Sequence, residues 1–574
     1  MKVKNIKYWA FAAVLSMGFT SCDDFLDRPT EDNYNVDNFY QNDTQCIQGV
    51  NYLYNSPWYD FQRGFIKVGE VFSGNYYMGS SPYLDFSVNG TDADLINMSY
   101  SLWAVNAHAN TVYSNLQSAN ASEAVINQCM GECLAWKGMA YFYLVRTFGD
   151  VPIIHDNSAE LADGTYNEKF KVKRADVYEY VVMTLEKAIE LLPAATKFDG
   201  HIDQYAAKAL LAKVYLSKAG VSGTLNSSDL SKAAELAKDV IDNSGRQLLD
   251  NYSDVFRLAN NMNEECLISW LWYPTRDPWT AQNTLQSDLG IVGFSEFGDC
   301  WGGYGGMSVD LQDAFGASAL DDPSSRIDTD VRRKATLMLP GDKYEYFWTD
   351  KGGFDYLKFL YDVDNYGKGG PGSLQSATGS NTVKHLFGNG YDHQQALGLS
   401  AGNMCSGLAT HLLRLSDVYL IYAEAMMGTN SSTSDASAID AYYKVRSRSV
   451  AAATRPTTIT WDDVWKERRL ELAMEGDRWY DYVRLSYHNP QKAINELKGQ
   501  RRNEIYSLDS AYENYYETGK WSYDASEVRY NTDTPAPNVT ESSFTLPFPT
   551  EDVVFNPNLM KDPISVDVRT EFSY

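Results

Sequence analysis

The chain is short of cysteine, histidine and positive charge, and each shortage closes off a class of function. Seven cysteines and seven histidines are spread over 574 residues. Beyond Cys22, the residues Cys46, Cys129, Cys133, Cys266, Cys300 and Cys405 lie scattered, so they make no disulfide framework. Cys129 and Cys133 are four apart on a helical pattern, where a disulfide would be strained. No CxxC, HxH or HxxxH pair occurs, so zinc is not expected. Lys and Arg number 49 against 75 Asp and Glu, a net charge of −26. That balance repels phosphate backbones, and no basic patch offsets it, which argues against nucleic acid as a partner. Beyond the first 21 residues no apolar run is long enough to span a membrane.

Hydrophobic residues make up 44% and charged residues 22%, which is ordinary globular usage. The length exceeds what one hydrophobic core usually serves, so one large helical assembly or several domains are expected. Aromatics reach 14%, with 41 Tyr against 24 Phe. Tyr and Trp bury an apolar body and keep a polar handle, so an excess suits recognition surfaces as well as cores.

The N-terminus reads as an address. Lys2, Lys4 and Lys7 precede the apolar run Tyr8 to Phe19, and Thr20-Ser21 lead to Cys22. The run is too short to span a bilayer and has the layout of a secretory signal. A cysteine directly after the cleavage point reads as a lipoprotein signal, with Cys22 carrying the lipid. The expected organisation is a signal peptide over 1–21 and one domain over 22–574, anchored to a membrane without crossing it.

Apolar residues at three- and four-residue spacing predict helices over Cys129 to Phe148, Asp176 to Leu192, Tyr205 to Ala219, Leu230 to Ile241, Leu412 to Met427 and Ile439 to Ser447. Trp461 to Leu485 predicts one long or broken helix. Leu185, Ala188 and Pro193, followed by Leu211, Ala212 and Tyr215, have the spacing of tetratricopeptide-like helix pairs, which stack to share a core. Residues 54–103 and 270–410 are rich in Gly, Ser, Asn, Asp and aromatics and predict loops, above all Gly298 to Gly306 and Tyr366 to Gly379. Loops on a rigid scaffold are where binding residues concentrate.

Five separated blocks carry a resemblance. They are SCDDFLD from Ser21, WKGMAYFYLVRTFGDVP from Trp136, LSDVYLIYAEA from Leu415, ERRLELAMEGDRWYDYVR from Glu467 and LPFPTEDVVFNPNL from Leu546. In this order, from residue 21 to 559, they resemble the SusD/RagB family of surface glycan-binding lipoproteins of Bacteroidetes. The resemblance implies a mainly α fold of tetratricopeptide-like helix pairs, few short strands and a large loop-rich ligand face. It also implies lipid anchoring on the outer face of the outer membrane and a non-enzymatic role beside a SusC-like TonB-dependent transporter. Asp23 and Asp24 are similar to the family's export signal. The signature helices identify the family without marking the binding residues.

A sugar ring offers an apolar face and a rim of hydroxyls, so a glycan site wants Trp or Tyr beside polar groups. The first candidate is Asp299-Cys300-Trp301 with Tyr304, set among glycines that let a ligand approach closely. Tyr76, Tyr77, Tyr83 and Asp85 follow, then Trp279 with Trp272 and Tyr273, then Tyr391-Asp392, and last Asp43. Trp103, Trp136, Trp461, Trp465 and Trp479 lie on helical patterns and read as core. The negative charge favours a neutral glycan.

Catalysis is not expected. A glycosidase needs two opposed carboxylates, and Glu471 and Glu475 share one helical face, where they read as solvated. No HExxH or GxxxxGK[ST] occurs, and no nucleophile elbow is expected. Asp321, Asp322, Asp328 and Asp330 suggest a structural Ca²⁺ without completing an EF-hand pattern. The alternative function is a helical-repeat lipoprotein that imports peptides or assembles a surface complex without binding glycan.

Overall fold

The computed structural model describes residues 39–194 and 199–574. Cys22, Asp23, Asp24 and the signal segment lie outside the described residues. Helices carry the fold: α1 (Asp43–Asn51), α2 (Phe61–Ile66), α3 (Ala93–Leu116), α4 (Glu123–Phe148), α5 (Arg174–Leu191), α6 (Gln204–Lys218), α7 (Ser227–Asn243), α8 (Leu285–Leu289), α9 (Leu415–Ala425), α10 (Ala436–Ser449), α11 (Trp461–Glu471) and α12 (Arg478–Ser486), with shorter turns between them. Each long helix packs on its neighbour in the order α3, α4, α5, α6, α7, α9, α10. Successive antiparallel pairs thereby share one continuous apolar core.

Local chemistry explains the ends. Asp92, Asp203 and Asn226 accept backbone N–H bonds as the N-caps of α3, α6 and α7. Helix α4 shows why the stack is tight. Every residue from Gly131 to Phe148 is buried, so α4 is enclosed on all sides, beyond the single apolar face its sequence pattern suggests. A Cβ at Gly131 would lie 2.7 Å from Leu192, and one at Gly138 would lie 2.6 Å from Leu185. Glycine is what lets α5 approach this closely.

The described strands form two-stranded sheets. Two of these matter for position: β2 (Cys266–Trp270) pairs antiparallel with β4 (Thr410–Arg414), and β1 (Tyr76–Tyr77) pairs antiparallel with β3 (Gly306–Met307).

Two expectations change, and a third is decided between its alternatives. Leu412 to Met427 is not one helix, because β4 runs to Arg414 before α9 starts. The stretch 54–103 is largely helical, holding α2, a π turn over Lys67–Val71 and the start of α3. Its polar residues hid the period because they point inward: Ser99 donates to Asp552 at 2.7 Å and Ser101 to the Pro57 carbonyl. Trp461 to Leu485 is broken between α11 and α12, where Met474 and Gly476 take positive φ and Gly476 packs against Gly69.

That break redirects the carboxylates read as solvated. Glu471 and Glu475 are buried beside Arg414. Arg414 Nε lies 2.7 Å from Glu475, and its Nη1 reaches Glu265 and Glu471. Arg332 adds Asp330 at 2.7 Å, Glu467 at 2.6 Å and Glu471 at 3.1 Å, and Lys384 lies 2.7 Å from Glu475. Burial pushes the Glu471 and Glu475 carboxyls up, but the surrounding guanidiniums outweigh it and hold both below the usual carboxylate range. The block beginning at Glu467 is therefore an internal ion-pair junction joining α9, α10, α11 and the segment around Arg332.

Candidate functional site

The Gly-rich loop lies against α8. The Trp301 N–H donates to the Ser287 carbonyl at 3.0 Å, and the Gly302 N–H to the Gly290 carbonyl at 2.9 Å. A Cβ at Gly302 would come within 2.3 Å of the Asp288 carbonyl oxygen, and one at Gly305 within 2.3 Å of the Tyr76 hydroxyl. These glycines serve close packing of the loop onto the scaffold rather than access for a ligand, and that packing leaves the aromatic side chains outside. Trp301 is 44% exposed and Tyr304 66% exposed.

The two rings border an open hollow of about 390 Å³. Its other walls are Gln62, Arg63, Ile66 and Lys67 from the α2 region, Tyr76 and Met78 beside β1, Asp94 of α3, and Asp288 of α8. Ile66, Met78, Leu285 and Leu289 make much of its lining apolar, and the charged groups among the rest are balanced. Lys67 pairs with Asp94, and Arg63 Nε lies 3.9 Å from Asp288 Oδ2. The Trp301 indole N–H donates to Asp288 Oδ1 at 3.1 Å. Burial pushes the Asp288 carboxyl up, with Arg63 and the indole N–H partly opposing. Gln375 donates to the Tyr304 hydroxyl at 3.4 Å. An aromatic face above two cations, two carboxylates and an amide can stack on a sugar ring and bond its hydroxyls.

Comparison with known proteins bears on the chain as a whole. Residues 293–564 match the SusD family, and residues 24–216 match a family described as starch-binding, associating with outer membrane. A SusD-like protein of Bacteroides ovatus is 31% identical, with 96% of this chain and 97% of that protein aligned. The chain belongs to the SusD family. A crystal structure with xylogluco-oligosaccharide is similar at 29% identity and a TM-score of 0.76, covering 92% of this chain and 100% of that one. A laminarin binding SusD-like protein, 21% identical with a TM-score of 0.62 over 91% of this chain and 100% of its own, shares the fold.

The remaining candidates of this SusD-family chain fall into two groups. Tyr76 borders the hollow although it is only 1% exposed. Several others are corrections, because their polar atoms face inward. Asp299 is buried and accepts the Met404 N–H, and Cys300 is buried beside it. Tyr77 is buried and donates to Glu504 at 3.3 Å. Tyr83 is buried and donates to Asp92, the cap of α3, at 2.6 Å. Asp85 is exposed at the end of a short helix and does not line the hollow. Asp43 ties α1 to Ser122 at the opposite end of α3, and Asp392 caps a helix and binds the Trp348 N–H, leaving Tyr391 exposed beside it. Trp272 is buried and donates to Thr410 at 3.0 Å. Trp279 and Tyr273 are exposed. Arg276 lies 5.3 Å over the Trp279 ring, and Tyr59 shares a hydrogen bond with Trp279, four residues before Arg63. Trp136, Trp465 and Trp479 are buried, and Trp103 and Trp461 are partly so.

Arg63, Lys67, Asp94 and Asp288 were not read from the sequence. On helices they look like ordinary surface charges, and Asp60, three residues before Arg63, and Glu70, three after Lys67, offer local partners that hide the long-range ones.

The suggested Ca²⁺ acids are corrected too. Asp328 and Asp330 are taken by Arg333 and Arg332, and Asp321 and Asp322 by backbone N–H groups of their own turns. Among the described residues no group of three or more His, Cys, Asp or Glu could hold a metal ion. No described helix is long and apolar enough to cross a membrane. Gly398-Leu399-Ser400-Ala401-Gly402 does spell GxSxG, contrary to the expectation of no elbow motif. It follows a helix C-terminus instead of joining strand to helix, and Ser400 donates to Gln394 at 2.9 Å, so it lacks an elbow's geometry.

Proposed function

We propose that this chain is a lipid-anchored surface protein that binds a neutral oligosaccharide or polysaccharide and passes it to a SusC-like TonB-dependent transporter, with no turnover of its own. The observation that carries the reading is the Trp301–Tyr304 platform above the charge-balanced floor. Arg63 and Lys67 are matched by Asp288 and Asp94, so the hollow offers hydrogen bonds without a net charge to draw an acidic polymer. The surrounding chain is net negative, which disfavours polyanions further. Similarity to a structure with xylogluco-oligosaccharide makes β-glucans with side chains the first ligands to try.

Affinity gels and calorimetry with a panel of neutral and acidic glycans test the reading on residues 22–574. Binding of a neutral glycan that Trp301→Ala weakens supports it. Binding of peptides with no glycan retained would replace it with the peptide-import alternative, and product release that depends on a carboxylate would make the chain an enzyme. Anchoring rests on Cys22: Cys22→Ala should abolish palmitate labelling and remove the protein from the outer-membrane fraction.

A further inference from the structure

Trp301 has an unusual problem for a binding ring. It is nearly half exposed on a loop, so apolar packing alone holds it loosely, and a free side chain loses rotamer entropy when it stacks on a ligand. One side chain beneath it meets that problem. The Asp288 side chain is 16% exposed, and its two oxygens divide their work. Oδ1 accepts the Trp301 indole N–H at 3.1 Å. Oδ2 accepts from Thr284 at 3.4 Å and faces Arg63 Nε at 3.9 Å. The carboxylate is itself on a fixed support, since α8 is locked to the loop by the Ser287–Trp301 and Gly290–Gly302 backbone bonds. The loop backbone packs so closely on α8 at Gly302 that no side chain would fit there.

We propose that Asp288 is a positioning residue of the site: it fixes the plane of the Trp301 ring before ligand arrives and holds the Nε edge of Arg63 to the floor. The proposal rests on the reading of this hollow as a glycan site and adds how that site is preorganised. Asp288 does not need to touch sugar. Its acceptor oxygen and its charge act on different partners, so the two functions separate by substitution. Asp288→Asn keeps an oxygen for the indole N–H and loses the charge facing Arg63. Asp288→Ala loses both.

The test is a double-mutant cycle on residues 22–574, with xylogluco-oligosaccharide as probe and calorimetry as readout. Asp288→Ala should weaken binding about tenfold, and Asp288→Asn by about threefold or less. In the Trp301→Ala background, Asp288→Ala should cost no more than about threefold, because the ring it orders is gone. A full tenfold loss in that background, or no loss in wild type, overturns the proposal. A second readout needs no ligand. The Trp301 fluorescence, taken as the difference between each protein and its Trp301→Ala version, should lose anisotropy and gain acrylamide quenching in Asp288→Ala while Asp288→Asn stays near wild type. Unchanged anisotropy in Asp288→Ala overturns the proposal even if binding falls. A wild-type protein that binds no glycan would overturn the proposed function, and the anisotropy result would still decide the role of Asp288. Matching thermal melts of the variants exclude unfolding as the cause.

Discussion

The ion-pair junction around Arg414 and the hollow beneath Trp301 are built from the same residue types and do opposite things. At the junction, arginines and carboxylates are wholly removed from water and each charge meets several partners. At the hollow, Arg63 keeps about half of its side-chain surface in water and meets a carboxylate only at 3.9 Å. The aromatics divide in the same way: Trp479 is 1% exposed and stacks on Phe72 at 4.9 Å, whereas the Trp301 side chain has one polar bond and stays 44% exposed. Saturated partners make a group structural. Unsaturated ones leave it available to a ligand.

The contrast is easiest to break at the junction. Arg414→Ala takes one cation from Glu265, Glu471 and Glu475, leaves Arg332, Arg448 and Lys384 to answer three buried acids, and should cost about 3–5 kcal/mol. If thermal melts show less than about 1 kcal/mol, the junction does not hold the helices together. The same carboxylates set the acid limit. Their folded pKa values lie below the unfolded value of about 4.3, so the stability they contribute is complete above that pH and declines as pH falls beneath it. His155, His385 and His411, held by burial at about 4 against an unfolded value of about 6.5, should lower urea midpoints gradually below about pH 6.5, and the carboxylates should add a steeper fall below about pH 4. No steepening below about pH 4 would remove the junction carboxylates from the acid limit.

Trp479→Ala should cost about 3–5 kcal/mol of stability and leave glycan affinity unchanged in whatever protein still folds. Trp301→Ala should do the reverse, weakening binding roughly tenfold to a hundredfold, by analogy with base–aromatic stacking of about 1–3 kcal/mol, while the melting temperature moves little. An exchange of these two outcomes would invert the comparison. The smallest effect is expected at Tyr304. Its ring is more exposed than that of Trp301 and its hydroxyl has only a 3.4 Å bond, so Tyr304→Ala should weaken binding by about twofold to fivefold. A loss equal to that of Trp301→Ala would make the two rings a joint platform.

The sequence by itself determined the helices and the family. The period of α4 through α7 and the five ordered blocks are local or linear properties, so they survive without three-dimensional information. Trp301 and Tyr304 were also legible, because aromatics among glycines mark a loop that cannot bury them. What only the tertiary structure decided is which polar groups are spent. Glu471, Glu475 and Asp299 look like surface acids in the sequence and prove to be buried, each answered by a donor distant in the chain. Arg63 and Asp288 look equally ordinary and end up 225 residues apart in the chain, 3.9 Å from each other beside the Trp301 ring, whose indole N–H Asp288 accepts. Hydrogen bonds and charges are satisfied in space, by whichever residues the packed helices bring together, and no spacing along the chain records that outcome.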